Sequence, residues 1–280
     1  MKFISRIIIL LSLLLPIFKV DAFLCFDQLA YAYRIYRPGV DVVKVERAVQ
    51  IAIPTQYLLG SPRIAVFSEE LLNANLKELK RIIEKKPVPY VLGPNGQRHI
   101  IDRHHTLYTF HSVLPQLIAN GIPVNKLKFE FRQVADLSHL SENKFLKTMH
   151  DRGWLYPFNK QGVKDLYNIP SHVSLLEFDF YRGLAWIVRK SGAIEKNDQS
   201  VPFLEFYWAK AFRDEFSFKH ELFTVEKIRK AIMLALSRSK TVSNLPGYHQ
   251  TLPPNMTVDN CLLEIQPILD ILIQKSLLRN

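Results

Sequence analysis

The stretch Arg98-His99-Ile100-Ile101-Asp102-Arg103-His104-His105 packs ionisable side chains of both signs into a short span. Ile100 and Ile101 read as the end of a strand, so the charged group falls where a helix begins. A helix start offers free N–H groups and the positive end of the helix dipole, which with cationic side chains suits a phosphate. Arg98 and Arg103 are the candidate phosphate contacts. Asp102 is a candidate metal ligand, base or orienting carboxylate. His104 and His105 can transfer protons, and His104 can join Asp102 on a divalent ion such as Mg2+ or Mn2+. A plainer reading stays open on spacing alone: Asp102 caps a helix over 103–120, and the two histidines are solvated first-turn residues.

Several elements must position this group. Residues 88–92 and 97–102 are short apolar runs around Gly93-Pro94-Asn95-Gly96, the pattern of a β-hairpin. Residues 106–120 carry Leu107, Phe110, Leu114, Leu117 and Ile118 at helical spacing, closed by Gly121 and Pro123. Residues 126–134 alternate Leu127, Phe129 and Phe131 with Lys128, Glu130 and Arg132, a half-buried strand. Upstream, Val40, Val42, Val43, Val45, Val49, Ile51 and Ile53 make 40–53 read as one strand, stopped by Pro54. Residues 68–86 read as one helix, with Ser68 as N-cap, an apolar stripe from Leu71 to Ile83, and Pro87 as its stop. Further helices are expected over 141–152, 180–190, 203–216, 224–238 and 258–275, the last kinked near Pro267. The Pro-, Ser- and Asn-rich stretch 239–257 reads as a loop.

Composition places the chain. Lys2 and Arg6 precede a twelve-residue apolar run, 7–18, and Val20-Asp21-Ala22 then resembles a cleavage site, so 1–22 reads as a signal peptide. A membrane span needs about 20 apolar residues, so the mature form is expected to have no stable span and to be periplasmic or secreted. Losing Lys2, Arg6, Lys19 and Asp21 lowers the formal charge from +11 to +9, still a surplus that favours an anionic ligand, nucleic acid or nucleotide. The only cysteines, Cys25 and Cys261, exclude a CxxC redox or zinc motif. In an oxidising compartment they are a candidate disulfide worth about 4–5 kcal/mol in the chain-entropy model. The aromatic residues Trp154, Trp186, Trp208, Phe203, Phe206, Tyr207 and Phe212 have helical spacing, which favours core packing over a base-stacking surface. Arg182, Arg189 and Lys190 could extend a basic rim toward the junction, with a solvated helix face as the plainer reading. His139, His150 and His172 are too scattered for a metal site.

The order Ile53-Pro54-Thr55-Gln56, a helix, Pro89-Tyr90-Val91-Leu92-Gly93-Pro94-Asn95-Gly96, then Ile100-Ile101-Asp102-Arg103-His104-His105 resembles the ParB/sulfiredoxin fold, and more closely the family of ParB-like nucleases. The likeness continues at Val134-Ala135-Asp136-Leu137-Ser138, Gly153-Trp154-Leu155-Tyr156-Pro157-Phe158, Tyr181-Arg182-Gly183-Leu184-Ala185 and Phe203-Leu204-Glu205-Phe206, and so spans roughly 48–214. It implies an α/β (α+β) fold: a small sheet with helices over 23–137, and a mostly helical C-terminal extension over 138–280. Where ParB proteins carry a Gly-Glu-Arg-Arg-like phosphate motif, this chain has Gly96-Gln97-Arg98 and then Asp102-Arg103-His104-His105. No cysteine stands where sulfiredoxins place theirs, which excludes sulfinic-acid reduction. Arg103 replaces the glycine of the Asp-Gly-His-His signature seen in other members of the fold.

The resemblance and the residues together lead to an expected metal-assisted nuclease or phosphodiester hydrolase, exported, with Asp102, His104 and His105 catalytic and Arg98 and Arg103 on phosphate. ATP and CTP are scarce outside the cytoplasm, and hydrolysis needs neither. The alternatives are a non-catalytic nucleotide- or anion-binding module, and a nucleotide-dependent kinase of the same fold. Neither the oligomeric state nor enzymatic turnover follows from the residues.

Overall fold

Residues 40–53 carry apolar side chains at two incompatible periods, and the chain changes structure twice to accommodate them. In the computed structural model, which describes residues 40–195, 201–218 and 222–279, strand β1 is Val40–Lys44, helix α1 is Val45–Ile51 and strand β2 is Ala52–Ile53. The single strand expected here is therefore corrected. Val45, Ala48 and Val49 lie at helical i, i+3 and i+4 positions and are buried together. In β1 it is Val40 and Val42 that face outward.

The single helix expected over 68–86 is two. Helix α2, Ser61–Asn73, begins earlier than its charge pattern suggested, at Ser61-Pro62, where proline's fixed φ and missing N–H suit a first turn. Asn75 then starts helix α3, Leu76–Glu84: its side chain accepts from Lys77 N and Glu78 N, while the Glu78 carboxylate accepts from Asn75 N. That reciprocal capping box closes one helix and opens the next.

The hairpin forms as expected. Strands β4, Val88–Leu92, and β5, Arg98–Ile100, pair antiparallel around a turn in which Asn95 and Gly96 take left-handed φ values of 59° and 71°. After helix α4, His104–Ala119, comes strand β6, Lys128–Asp136. The sheet order is β1-β6-β4-β5-β2, with β6 antiparallel to β1 and parallel to β4, and β2 parallel to β5. Phe129, Phe131, Ile100 and Val88 from the sheet meet Val45, Leu71, Leu79, Leu107 and Phe110 from α1 to α4 in one apolar cluster. Each such side chain adds about 1.5–3 kcal/mol of transfer free energy.

The C-terminal half is helical, as expected. Helices α5, Glu142–Asp151, α6, Phe180–Lys190, α7, Leu204–Phe216, and α8, Val225–Leu236, are followed by α9, Val258–Glu264, and α10, Gln266–Gln274, which break beside Pro267. Two small sheets went unread in the sequence because each strand is only two residues long. β3, Leu58–Leu59, pairs with β7, Glu177–Phe178, and β8, Phe223–Thr224, pairs with β9, Leu278–Arg279. Helices α6 to α10 build a second apolar cluster around Trp208, Phe212, Leu184 and Ile232.

The chain is thus of mixed α/β class, with a small mixed sheet and ten α-helices among the described residues, and the described residues belong to one compact unit. Among them no helix is long and apolar enough to cross a membrane. The leader read at 1–22 lies outside the described residues, as does Cys25; its candidate partner Cys261 is a buried thiol on α9.

Candidate functional site

Helix α4 opens directly on His104 and His105, and both rings are buried at 4% exposure. This corrects the reading of solvated first-turn histidines. The rings hold the segment between β2 and α2. Thr55 N donates to His104 Nε2 at 3.1 Å, and Gly60 N donates to His105 Nε2 at 3.1 Å. Thr55 Oγ1 donates to Ile100 O at 2.8 Å, which ties the same segment to the end of β5. A ring nitrogen that accepts from a backbone N–H carries no proton, so both imidazoles are neutral with their hydrogen on Nδ1. Burial pushes the His104 pKa down to about 4, and the charges of Arg182 and Arg63 push the same way. Burial, then Arg63 and Arg182, hold His105 well below its ordinary value.

The turn into α4 is made by Asp102 and Arg103. Asp102 Oδ1 accepts from Arg103 N at 2.6 Å, and Arg103 sits at the N-cap with a left-handed φ of 72°. A glycine adopts that conformation without strain, so Arg103 holds a glycine-type backbone position while adding a cation. Its Nε and Nη2 are buried with no hydrogen-bond partner. The Asp102 carboxylate is exposed.

Helix α6 packs on α2. Its N-cap Asp179 accepts from Arg182 N at 2.6 Å and is ion-paired with Arg213. Here α6 meets the start of α2 so closely that a Cβ on Gly60 would stand 2.9 Å from Gly183 Cα, and one on Gly183 would stand 2.7 Å from Pro62 Cδ. Both positions therefore require glycine. Arg182 is buried, at 4% exposure, with Nη2 at 3.3 Å from Glu205 Oε2 and its guanidinium carbon 4.8 Å from the Phe206 ring centroid. Its Nε and Nη1 are buried without partners. Glu205, in the first turn of α7, also accepts from Arg189 Nε at 2.8 Å. Burial alone would raise the Glu205 pKa, but Arg182, Arg189 and Arg63 outweigh it and hold the carboxyl at about 2. Arg63, in the first turn of α2, feels both Glu205 and Asp102. It links the two halves of a polar seam between α2, α4, α6 and α7.

Of the five residues expected to act together, the structure joins Asp102, Arg103, His104 and His105. Arg98 does not join them: its Nη2 is 2.8 Å from Asp41 Oδ2 of β1, and its guanidinium lies 5.6 Å from the centroid of Tyr90. His150 is turned to Lys164 and His172 to Ser174. Trp208 and Phe212 are fully buried, and Trp154, Trp186 and Phe206 are buried with them; Tyr207 is exposed. A divalent ion on Asp102 and His104 fits this donor set poorly, because the His104 Nε2 that would ligate it already accepts from Thr55 N. Among the described residues no three His, Cys, Asp or Glu side chains stand together as ligands.

Arg63 and Glu205 were missed as site residues, and the solvated face read for Arg182 and Arg189 is corrected: Arg182 is core, and Arg189 is turned onto Glu205. One signal was present in the sequence. Phe180-Tyr181-Arg182-Gly183-Leu184-Ala185-Trp186-Ile187-Val188 has apolar or small residues on every face, so Arg182 has no solvated side to occupy.

This arrangement can be compared with known proteins. No curated protein matches. Among solved structures, the crystal structure of protein Atu1540 from Agrobacterium tumefaciens is similar, with 27% sequence identity, a TM-score of 0.58, and coverage of 77% of this chain and 98% of that one. A family model matches residues 45–214, from the start of α1 to the last turn of α7, and so takes in every element that lines the seam. The chain belongs to the family described as "Putative ParB-like nuclease".

Proposed function

We propose that the protein binds the phosphate of a nucleic acid or nucleotide at Arg103, Arg182 and Arg63, and that it hydrolyses a phosphodiester there. One observation carries this reading: two guanidinium groups of the seam, on Arg103 and Arg182, each keep two buried N–H donors without partners, against a single such nitrogen on Arg98 outside it. A buried unpaired donor is costly, on the order of 1–3 kcal/mol and more for a charged group, so such donors mark a place where an acceptor belongs. A phosphate supplies it through charge-assisted hydrogen bonds, bidentate at the Nε and Nη2 edge of Arg103. The same cations would stabilise charge that develops on phosphorus oxygens in the transition state.

Asp102 is the group with freedom to orient or deprotonate a water, since its carboxylate is exposed and one oxygen is anchored to Arg103 N. The histidines shape the site by holding Thr55 and Gly60 in place, and no proton-transfer step runs through their engaged nitrogens. An exported location, read from 1–22, suits a reaction that needs no nucleoside triphosphate.

The test incubates the protein with single- and double-stranded DNA and RNA, with Mg2+, with Mn2+ and with EDTA, beside Asp102→Asn and Arg182→Met. Cleavage by the parent that is lost in both variants, with folding intact, is the expected result. Equal cleavage by the folded Arg182→Met protein would sink the proposal. A second reading, binding without turnover, is favoured by the engagement of both histidine Nε2 atoms. It predicts saturable binding that Arg182→Met abolishes and no product under any metal condition.

A further inference from the structure

We infer that a second site, sharing no residue with the seam, holds a single strand of nucleic acid. It is the groove between helix α5 and the loop that follows it, where Tyr167 stacks on an unpaired base and lysines meet the flanking phosphates. The inference goes beyond the reading of the seam and does not depend on it. Two features carry it.

The first is charge gathered around one depression. The groove measures about 520 Å³, with Lys144, Lys147 and His150 on its α5 wall and Lys164 and Tyr167 on its loop wall. Counting every charged side chain that lines it, three lysines face one carboxylate, Asp151, which is paired with Lys147. Lys144 and Lys147 lie at i and i+3, so both stand on one face of the helix. Lys164 Nζ donates to His150 Nε2 at 2.8 Å, which leaves the ring neutral, its hydrogen on Nδ1, and the lysine's charge unbalanced. The walls therefore present a surplus of positive charge to solvent, the complement of a phosphate backbone.

The second is an aromatic ring that is exposed yet held by its backbone. Tyr167 is 66% exposed, while Asp165 Oδ1 accepts from Tyr167 N at 2.9 Å and from Asn168 N at 3.1 Å. The Asp165 carboxylate, engaged also by Asn168 Nδ2, is thus occupied within its own turn. Asn159 Oδ1 closes the preceding turn by accepting from Gln161 N and Val163 N, both at 3.0 Å, and Phe158 pairs with Lys164 in an antiparallel bridge. Tyr57 OH donates to Asp165 O at 3.1 Å, which ties this loop to the segment before α2. The ring is therefore placed before any ligand arrives, which lowers the ordering cost of binding. A rigid aromatic face among lysines is a stacking platform for a base, and stacking requires an unpaired base whose face is open. An acidic peptide would satisfy the lysines and leave the ring without a partner.

Equilibrium binding of the full chain to a short oligothymidylate tests this, beside the same strand annealed to its complement, an abasic strand of equal length and a polyglutamate peptide. We expect the single strand to bind at least about tenfold more tightly than the duplex or the abasic strand. Tyr167→Ala should bring the single strand down to the abasic level and leave the melting temperature unchanged, because the ring is mostly exposed. Lys144→Gln and Lys164→Gln should each flatten the salt dependence, by about 0.7 in the logarithmic slope. Single-strand affinity that survives Tyr167→Ala would overturn the inference, as would a duplex bound equally tightly. Polyglutamate bound as tightly as the strand would make the groove a protein-docking surface and overturn nucleic acid as its occupant. The seam is judged separately: this pattern in a protein that cleaves nothing upholds the groove, and cleavage with no effect of Tyr167→Ala on affinity refutes the groove and leaves the seam standing.

Discussion

Trp208 and Arg182 lie almost equally deep in the molecule, at 0% and 4% exposure, yet they are held in opposite ways. Trp208 sits in an apolar cluster with Phe212 and Leu184, and its single polar atom is satisfied, Nε1 donating to Pro246 O at 2.7 Å. Arg182 has one carboxylate contact at 3.3 Å, an aromatic ring beneath it, and two donors with no partner. The core around Trp208 is complete as it stands, whereas the seam around Arg182 lacks an acceptor. On the proposed reading, stability and ligand recognition belong to different parts of one compact fold, and experiment can separate the two.

The largest effect should come from the complete region. Trp208→Ala is expected to destabilise the protein by about 3–5 kcal/mol through lost burial and a residual cavity, measured by urea denaturation. Its ligand affinity under native conditions should stay at the parent value, and a large loss of affinity in the folded fraction would blur the division between core and seam.

The next effect is on the seam's histidines and is read by pH. His104 is lowered to about 4 in the fold, and outside the seam His99, half-buried against Phe145 on β5, is also lowered to about 4. Lowered folded values mean that the unfolded chain binds more protons between about pH 4 and 6.5. Their contribution is therefore complete above about pH 6.5 and is lost as the pH falls toward the folded values, by up to about 1.4 kcal/mol per pH unit for each ring. Glu205, held at about 2, adds a loss of the same sign at lower pH. Denaturation midpoints that stay level between about pH 7 and pH 5 would contradict neutral, backbone-bonded rings.

Arg182→Met comes third in stability and first in function. It removes a cation with unused donors and leaves Glu205 paired with Arg189 at 2.8 Å. The expected stability change is only about 1 kcal/mol in either direction, with phosphate affinity down by at least about tenfold. A loss as large as that of Trp208→Ala would make Arg182 a structural residue. The smallest effect belongs to an exposed ion pair such as Lys147 with Asp151 at 2.5 Å. There Lys147→Ala should shift stability by less than about 0.5 kcal/mol, which shows how little an ion pair contributes where water competes.

Much of the scaffold was legible because its signals are local. The Gly93-Pro94-Asn95-Gly96 turn, the apolar spacing of Leu107, Phe110 and Leu117, and the alternation of Phe129 and Phe131 each encode one element within a few residues, and each formed where expected. Failures came where two local signals competed. Valines that suit strand or helix equally were divided at Lys44 and Val45, and the leucine stripe over 71–83 hid the capping box at Asn75.

The candidate site divides along the same line. The sequence by itself determined that ionisable residues gather at a strand-to-helix turn, because Asp102, Arg103, His104 and His105 are neighbours in the chain. Only the tertiary structure decided what those residues do. His104 and His105 are bound to Thr55 and Gly60, Arg98 to Asp41, and the cations that complete the seam arrive from α2 and α6. The physical reason is that a capping or apolar pattern is satisfied within its own element. A buried polar side chain depends on whichever distant backbone or charge is packed against it, and that pairing exists only once the helices meet.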